Sequence, residues 1–332
     1  KIFKIAFAHR EREYLAEVGR VEEVSGEIIV AILESDIFMI CTANRGIVRG
    51  RPIMVEKGKV HTIEYFGERE ITTLCFENLS SFHDIRHFIS TRSGGASCSP
   101  FNSLNLGLHV GDENQAVLEN RSRLFSALEI PLDCLTAARQ VHGSMVTRVS
   151  QSMRGRGSSD YAEALEATDA MITDEAGICL MIVVADCVPI IVYAPSRRVV
   201  GIAHAGWRGT VTGIALNLVA AFKENYSCSP DDLVVGIGPS IGQCCYEVGE
   251  DVLQGLNSVL GSRSGQVAQT SAGGTRVDLR EANRLLLIGT GVREERIELF
   301  DICTCCRSDQ FFSVRHQQGN TGRFGAGVML KK

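Results

Sequence analysis

The sequence predicts an α/β fold, with α+β as the related alternative: a large mixed central sheet flanked by helices, preceded by a small β-rich N-terminal extension. Three observations lead there. Strand-length apolar runs alternate with helical patterns over residues 86–332, residues 1–85 carry strand-like runs without a helical pattern, and glycine clusters follow several of the apolar runs. The chain has 332 residues, 45% of them hydrophobic and 22% charged, which is enough apolar material for one large domain or two.

Residues 27–41 (EIIVAILESDIFMIC) are rich in Ile and Val, and residues 46–66 hold short β-type runs broken by Gly, Pro and Lys, as hairpins are. TTLCFENLS (72–80) reads as a further strand, and no chemical motif falls within residues 1–85. Residues 115–128 place apolar side chains at helical spacing, with Pro131 shortly after them. The continuous apolar run 178–193 suits strands buried on both faces, and 199–205 is another such strand. Residues 210–225 read as a helix with Ile214, Leu218 and Phe222 on one face. A strand over 233–237 runs into glycines, and 279–289 reads as a helix. The expected division is thus an extension, 1–85, and a catalytic domain, 86–332.

Net charge is -5 and no basic stripe stands out, so nucleic acid is not an expected partner. No segment reaches the roughly 18 uninterrupted apolar residues of a membrane span. The best candidate, 178–194, is broken by Asp186 and Pro189. The first residues lack the apolar core and small-residue cleavage site of a signal peptide. Twelve cysteines could form a disulfide framework, but such frameworks belong mostly to small secreted chains. A large chain with adjacent thiols at Cys244/Cys245 and Cys305/Cys306 suits a reducing compartment, and the expectation is reduced thiols in the cytoplasm.

Three fragments carry candidate chemistry: RQVHG around His142, VVADCVPI around Cys187 and IAHAGWRGT around His204. Cys187 and His204 fall at the ends of successive apolar strands, which often lie side by side, and His142 would arrive on a loop. Two imidazoles and a thiolate suit a borderline-soft ion such as zinc, and three protein donors leave a fourth position open, the catalytic arrangement. Spacing alone is equally compatible with hydrogen-bonded histidines and a buried apolar thiol. Local context favours the metal. Asp186 lies inside an apolar run where an unpaired carboxylate is costly, and His204 precedes a glycine-spaced turn that lets a ligand approach.

With their neighbours, these fragments resemble the laccase-domain family, long labelled polyphenol oxidases and regarded as zinc-dependent purine nucleoside phosphorylases with adenosine deaminase activity. The matching pieces are TRSGGAS (91–97), FNSLNLGLHVGD (101–112), RQVHG (139–143), ATDAMIT (167–173), ADCVPI (185–190), HAGWRGT (204–210), GIGPSIGQCCYEVG (236–249) and the tail 303–325. The resemblance implies that His142, Cys187 and His204 are metal ligands, and that Asn105, Asp186, Arg208 and Arg323 belong to a purine nucleoside pocket. Members often carry an Arg where His316 stands here, and residues 1–85 lie outside the resemblance.

The implied cofactor is zinc, with copper as an alternative, and the implied partners are a purine nucleoside and phosphate. An activated water attacking C6 of adenosine would give deamination. Phosphate attacking the ribose C1′ would give phosphorolysis, with Arg208 or Arg323 holding the oxyanion. Asp186 would carry a proton or orient a ligand.

Three rival readings exist. Copper-dependent phenol oxidation at a multicopper site calls for imidazoles arranged largely as His-x-His, and this chain has eight histidines and no such pair. A single copper at the His/Cys site could still oxidise phenols weakly. Gly238-Pro239-Ser240-Ile241-Gly242 matches G-x-S-x-G, and Asp278 or Asp301 with His316 would complete a hydrolase order, although Pro239 removes an N–H the elbow needs. Finally, Cys244, Cys245, Cys303, Cys305 and Cys306 could be a structural zinc cluster or simply packed thiols, since Cys-x-Cys-Cys is not a standard finger spacing.

Overall fold

The computed structural model describes residues 71–332 throughout, and within residues 1–70 the backbone of six strands. These are β1 (Phe3–His9), β2 (Arg12–Val24), β3 (Glu27–Glu34), β4 (Ile37–Asn44), β5 (Ile47–Glu56) and β6 (Lys59–Phe66), paired antiparallel in chain order. Then come β7 (Ile71–Cys75), α1 (Glu77–Ser80), β8 (Ile85–Ser90), α2 (Asn114–Ala127), β9 (Leu135–Ala137) and β10 (Val146–Arg148). The middle of the chain supplies β11 (Ala170–Thr173), β12 (Cys179–Val184), β13 (Val188–Ala194), β14 (Val199–Ala205), α3 (Trp207–Val211) and α4 (Ile214–Tyr226). The last part forms β15 (Val234–Ile237), β16 (Glu247–Val248), α5 (Glu250–Leu260), β17 (Ala268–Ser271), β18 (Gly274–Val277), α6 (Leu279–Gly289), β19 (Ile297–Leu299) and β20 (Phe324–Leu330).

The mixed sheet expected from the sequence is shared between two sheets. One runs β1 to β8 in order and continues β20-β12-β9; the other is ordered β10-β11-β14-β13-β15-β19. A three-stranded sheet, β16-β18-β17, stands apart. The apolar run 178–193 divides at Asp186, whose φ of +81° turns the chain from β12 in one sheet to β13 in the other.

Side-chain alternation explains why these strands are apolar on both faces. Along β13, Ile191 and Tyr193 join a core shared with Ile182 and Val184 of β12 and with Phe324 and Ala326 of β20, so this core fills the space between the sheets. The alternate residues Val188, Ile190 and Val192 join a second core with Ile214, Leu218 and Phe222 of α4 and with Leu286 of α6. On the other side, Cys179 and Met181 of β12 pack with Leu124, Phe125 and Leu128 of the α2 region. The order of layers is therefore helix, sheet, sheet, helices. The helix expected over 210–225 is two, α3 and α4, separated at Gly213, which has φ +83°.

Two buried polar residues tie loops to this frame. The Nε2 of His87, on β8, accepts the Phe76 N–H at 2.9 Å, so the ring is neutral and held inside the core. Burial pushes its pKa down to about 4. The buried guanidinium of Arg121, on α2, donates to the carbonyls of Leu106, Gly157 and Ser158, joining two backbone segments to the helix.

No disulfide forms among the described cysteines, and no helix among the described residues is long and apolar enough to cross a membrane.

Candidate metal centre

Cys187 and His204 meet because β13 and β14 pair antiparallel, with Val188 opposite Ala205 and Pro189 opposite His204. Cys187, one residue before β13, is therefore beside the end of β14. His142 arrives on the loop between β9 and β10, where its φ is +61°. One donor atom from each of the three residues lies within 4.8 Å of the others, and the two imidazole rings stand edge to face with centroids 4.7 Å apart.

A single buried carboxylate arranges both histidines. Asp169 precedes β11, which pairs with β14 so that Ala170 faces Ala203. Its Oδ1 lies 2.8 Å from His204 Nδ1, which leaves Nε2 of that ring for the centre. The same carboxylate accepts the backbone N–H groups of Val141 at 3.2 Å, His142 at 3.0 Å and Gly143 at 2.7 Å, fixing the loop that carries His142. Burial alone would push this carboxyl up, but the His204 bond and the N–H donors hold it below the usual carboxylate range.

The electrostatics favour a thiolate among imidazoles. Burial pushes the Cys187 thiol up, yet His204 and His142 outweigh it and bring it down to about 6. Burial works against protonating His204, and Cys187 and Asp169 overcome it, raising that ring to about 9. Gly206 completes the floor: a Cβ there would lie 3.0 Å from Cys187 Sγ and 3.0 Å from His142 Cδ2. This donor set fits one borderline-soft ion, with two imidazoles, one easily ionised thiol, and a carboxylate orienting a ring from outside.

His142 and Cys187 open onto a cavity of about 510 Å³ whose walls also include Asp186, Ile241, Tyr246 and Arg315, while His204 is buried and off its wall. Of the other residues predicted from sequence, Asp186 lines this cavity with both carboxylate oxygens engaged. Oδ1 accepts the Thr304 hydroxyl at 2.7 Å and Oδ2 the Arg315 N–H at 2.7 Å. Arg323 is half-buried; burial lowers its pKa, and the charges of Cys187 and Asp186 act against that. Asn105 is fully buried behind Arg323, and its Oδ1 accepts the Arg323 N–H at 2.8 Å. Arg208 is exposed, its guanidinium lying over the Trp207 ring at 4.4 Å from the centroid, and it is not on the cavity wall.

The hydrolase reading fails on burial. Ser240 is fully buried, and its Oγ meets no hydrogen-bond partner, whereas an elbow serine must present Oγ to a histidine and to substrate.

Sequence reasoning missed Asp169, Thr304, Tyr246 and Arg315. Asp169 carried a usable signal, an acid at the head of the apolar run AMIT, the same signal that marked Asp186. The other three lie inside the matching pieces 236–249 and 303–325, but their roles rest on contacts between distant segments that those pieces do not reveal.

The family model described as multi-copper polyphenol oxidoreductase laccase matches residues 86–331, and the chain belongs to that family. A protein of Geobacillus stearothermophilus named purine nucleoside phosphorylase YlmD is 45% identical over 236 residues, 71% of this chain and 86% of that protein. A protein of an unknown prokaryotic organism named adenosine deaminase RL5 is 33% identical over 252 residues, 76% of this chain and 96% of that protein. Among solved structures, YlmD from Geobacillus stearothermophilus superposes with a TM-score of 0.76 at 40% identity, covering 81% of this chain and all of that one, 100%.

Proposed function

We propose that the chain is a zinc-dependent purine nucleoside phosphorylase that also deaminates adenosine. The observation that carries this reading is the convergence of His142, Cys187 and His204 to within 4.8 Å, with His142 and Cys187 on the wall of the cavity, in a chain whose relatives carry those two activities in their names. Zinc fits the donor set better than a multicopper array, because only one of the metal-type groups among the described residues contains histidine. When bound, such an ion supplies Lewis acidity that polarises a reacting oxygen.

The chain's own residues supply the rest. The Tyr246 ring with Ile241 and Val314 offers an apolar face for the base. Burial and the charge of Cys187 push the Tyr246 hydroxyl up to about 12, so it stays neutral and can donate a hydrogen bond. Arg323 provides a positive charge near Asp186 and Cys187 for the phosphate, and Asn105 positions it through its backbone N–H. Arg208, exposed on its Trp207 stack, is a second positive charge available to an incoming anion. Asp186, held by Thr304 and the Arg315 N–H, faces the cavity with lone pairs to spare and can take or return a proton at the substrate. Residues 86–332 carry this machinery, the extension before them is joined to it through β7 and α1, whose Leu74, Phe76 and Leu79 pack into the central core, and the free thiols support a cytoplasmic setting.

Product analysis tests the reading. Zinc-loaded protein given adenosine and phosphate should release adenine and ribose 1-phosphate only when phosphate is present, and inosine in either case; Cys187→Ala should lose both. Unchanged adenosine with fully metallated protein would refute it.

A further inference from the structure

A second group of soft donors lies apart from the histidines. The Sγ atoms of Cys244, Cys245, Cys303 and Cys306 all lie within 4.8 Å of one another. Cys306 Sγ is 3.5 Å from Cys244 Sγ and 3.4 Å from Cys245 Sγ. A tetrahedral ion with metal–sulfur bonds of about 2.3 Å sets its sulfurs roughly 3.8 Å apart. The thiols therefore stand near the spacing of one shared ion.

We propose that Cys244, Cys245, Cys303 and Cys306 hold a second zinc ion, a closed four-thiolate site that clamps two cavity-forming segments together. The spacing supports this once the right pair is taken. Cys303 and Cys306 form Cys-x-x-Cys, the separation common in closed zinc sites, and Cys305 is not one of the four.

Backbone donors prepare the site as they prepare other thiolates. Cys303 Sγ accepts the Gly242 N–H at 3.2 Å and also the N–H of Cys306. Gly242 can approach because it has no side chain: a Cβ there would lie 3.1 Å from Cys303 Cβ and 3.3 Å from Cys244 Sγ. Four thiolates this close repel one another unless a cation joins them. Binding of the ion therefore expels the remaining thiol protons to solvent.

The position gives the site its purpose. The segment holding Cys244 and Cys245 also carries Ile241 and Tyr246 to the cavity. The segment holding Cys303 and Cys306 carries Thr304, which bonds Asp186. The two already touch through the Ser240–Cys303 bridge, and Arg315 donates to the Cys245 carbonyl at 3.0 Å. With every donor supplied by protein, the ion has no open position and acts by holding shape.

The metal content of folded wild-type protein, reduced and equilibrated with zinc, is the first part of the test. Two equivalents are expected. Cys187→Ala should keep one, and its cobalt form should show intense thiolate-to-cobalt charge transfer, with proton release during uptake. Adding Cys244→Ser and Cys306→Ser should abolish that remaining equivalent. One equivalent in wild type and none in Cys187→Ala overturns the proposal, as does a disulfide among the four cysteines in an unreduced peptide digest. One equivalent that survives Cys187→Ala with the four-thiolate spectrum would keep this site and refute the His142–Cys187–His204 centre instead.

Discussion

His204 and Asp169 are joined twice: ring nitrogen Nδ1 stands 2.8 Å from the carboxylate Oδ1, and the His204 backbone N–H donates to the Asp169 carbonyl at 2.8 Å. The first contact sets the ring's tautomer and the second sets the register of its strand, so one residue controls both the direction and the chemistry of the imidazole.

Replacing that carboxylate is therefore expected to weaken the metal centre without removing a ligand. Asp169→Asn should lower zinc affinity about 10- to 100-fold, the usual cost of losing a partner behind a metal-binding histidine. Competition against a chromophoric chelator measures it. Affinity equal to wild type would show that the orientation of His204 is secured by other contacts.

Crowding gives a second route to the same centre. Gly206 has φ -69° and ψ 171°, a conformation open to any residue, so Gly206→Ala should fold. Its new methyl would press on Cys187 Sγ and His142 Cδ2, each 3.0 Å from the Cβ position. Zinc affinity should fall about tenfold, or about 1.4 kcal/mol. A variant that melts normally and binds zinc as wild type does would mean that the floor of the site gives way freely.

Thr304→Val keeps the shape of a fully buried side chain and removes the hydroxyl that bonds Asp186 at 2.7 Å. A hydrogen bond to a charged group is worth about 1.5–3 kcal/mol, so denaturant unfolding should show a loss of that size. Phosphorolysis should slow as well, with kcat reduced more than KM is raised. An undiminished unfolding free energy would show that the Arg315 N–H alone holds the carboxylate.

The pH dependence of stability should carry the mark of His87. Its pKa is held at about 4 in the folded chain against an ordinary 6.5. The unfolded chain takes up a proton first as pH falls, so this contribution is fully present above about pH 6.5 and is lost between about 6.5 and 4. The loss is on the order of 3 kcal/mol. His87→Gln, which can keep an acceptor for the Phe76 N–H, should flatten unfolding free energy across that window. An equally steep fall in the variant would assign the effect to other groups.

Much of the fold was legible because burial on two faces leaves a plain mark. The run 178–193 announced buried strands, and Ile214, Leu218 and Phe222 announced the face that α4 turns to β14. The partition into two sheets was not legible. It depends on the backbone turn at Asp186, and a carboxylate inside an apolar run reads as chemistry before it reads as a corner. At the site, strand adjacency correctly brought Cys187 to His204. Asn105 was placed in the pocket by resemblance, whereas its amide is spent on the backbone of Arg323 and Gly107. Which of two neighbouring polar residues faces a cavity depends on the chain behind them, and local pattern does not record that.

The three donors are drawn from both halves of the sandwich: His142 follows β9 of the larger sheet, His204 ends β14 of the smaller, and Cys187 sits at the corner between them. A ligand gripping all three is bound only while the halves are docked, so its binding energy adds to the cooperativity of the entire molecule. At a free concentration a thousandfold above its Kd, such a ligand adds about 4 kcal/mol to global stability. Amide protons deep in β20, a strand that supplies none of the three donors, would then exchange more slowly in the loaded protein.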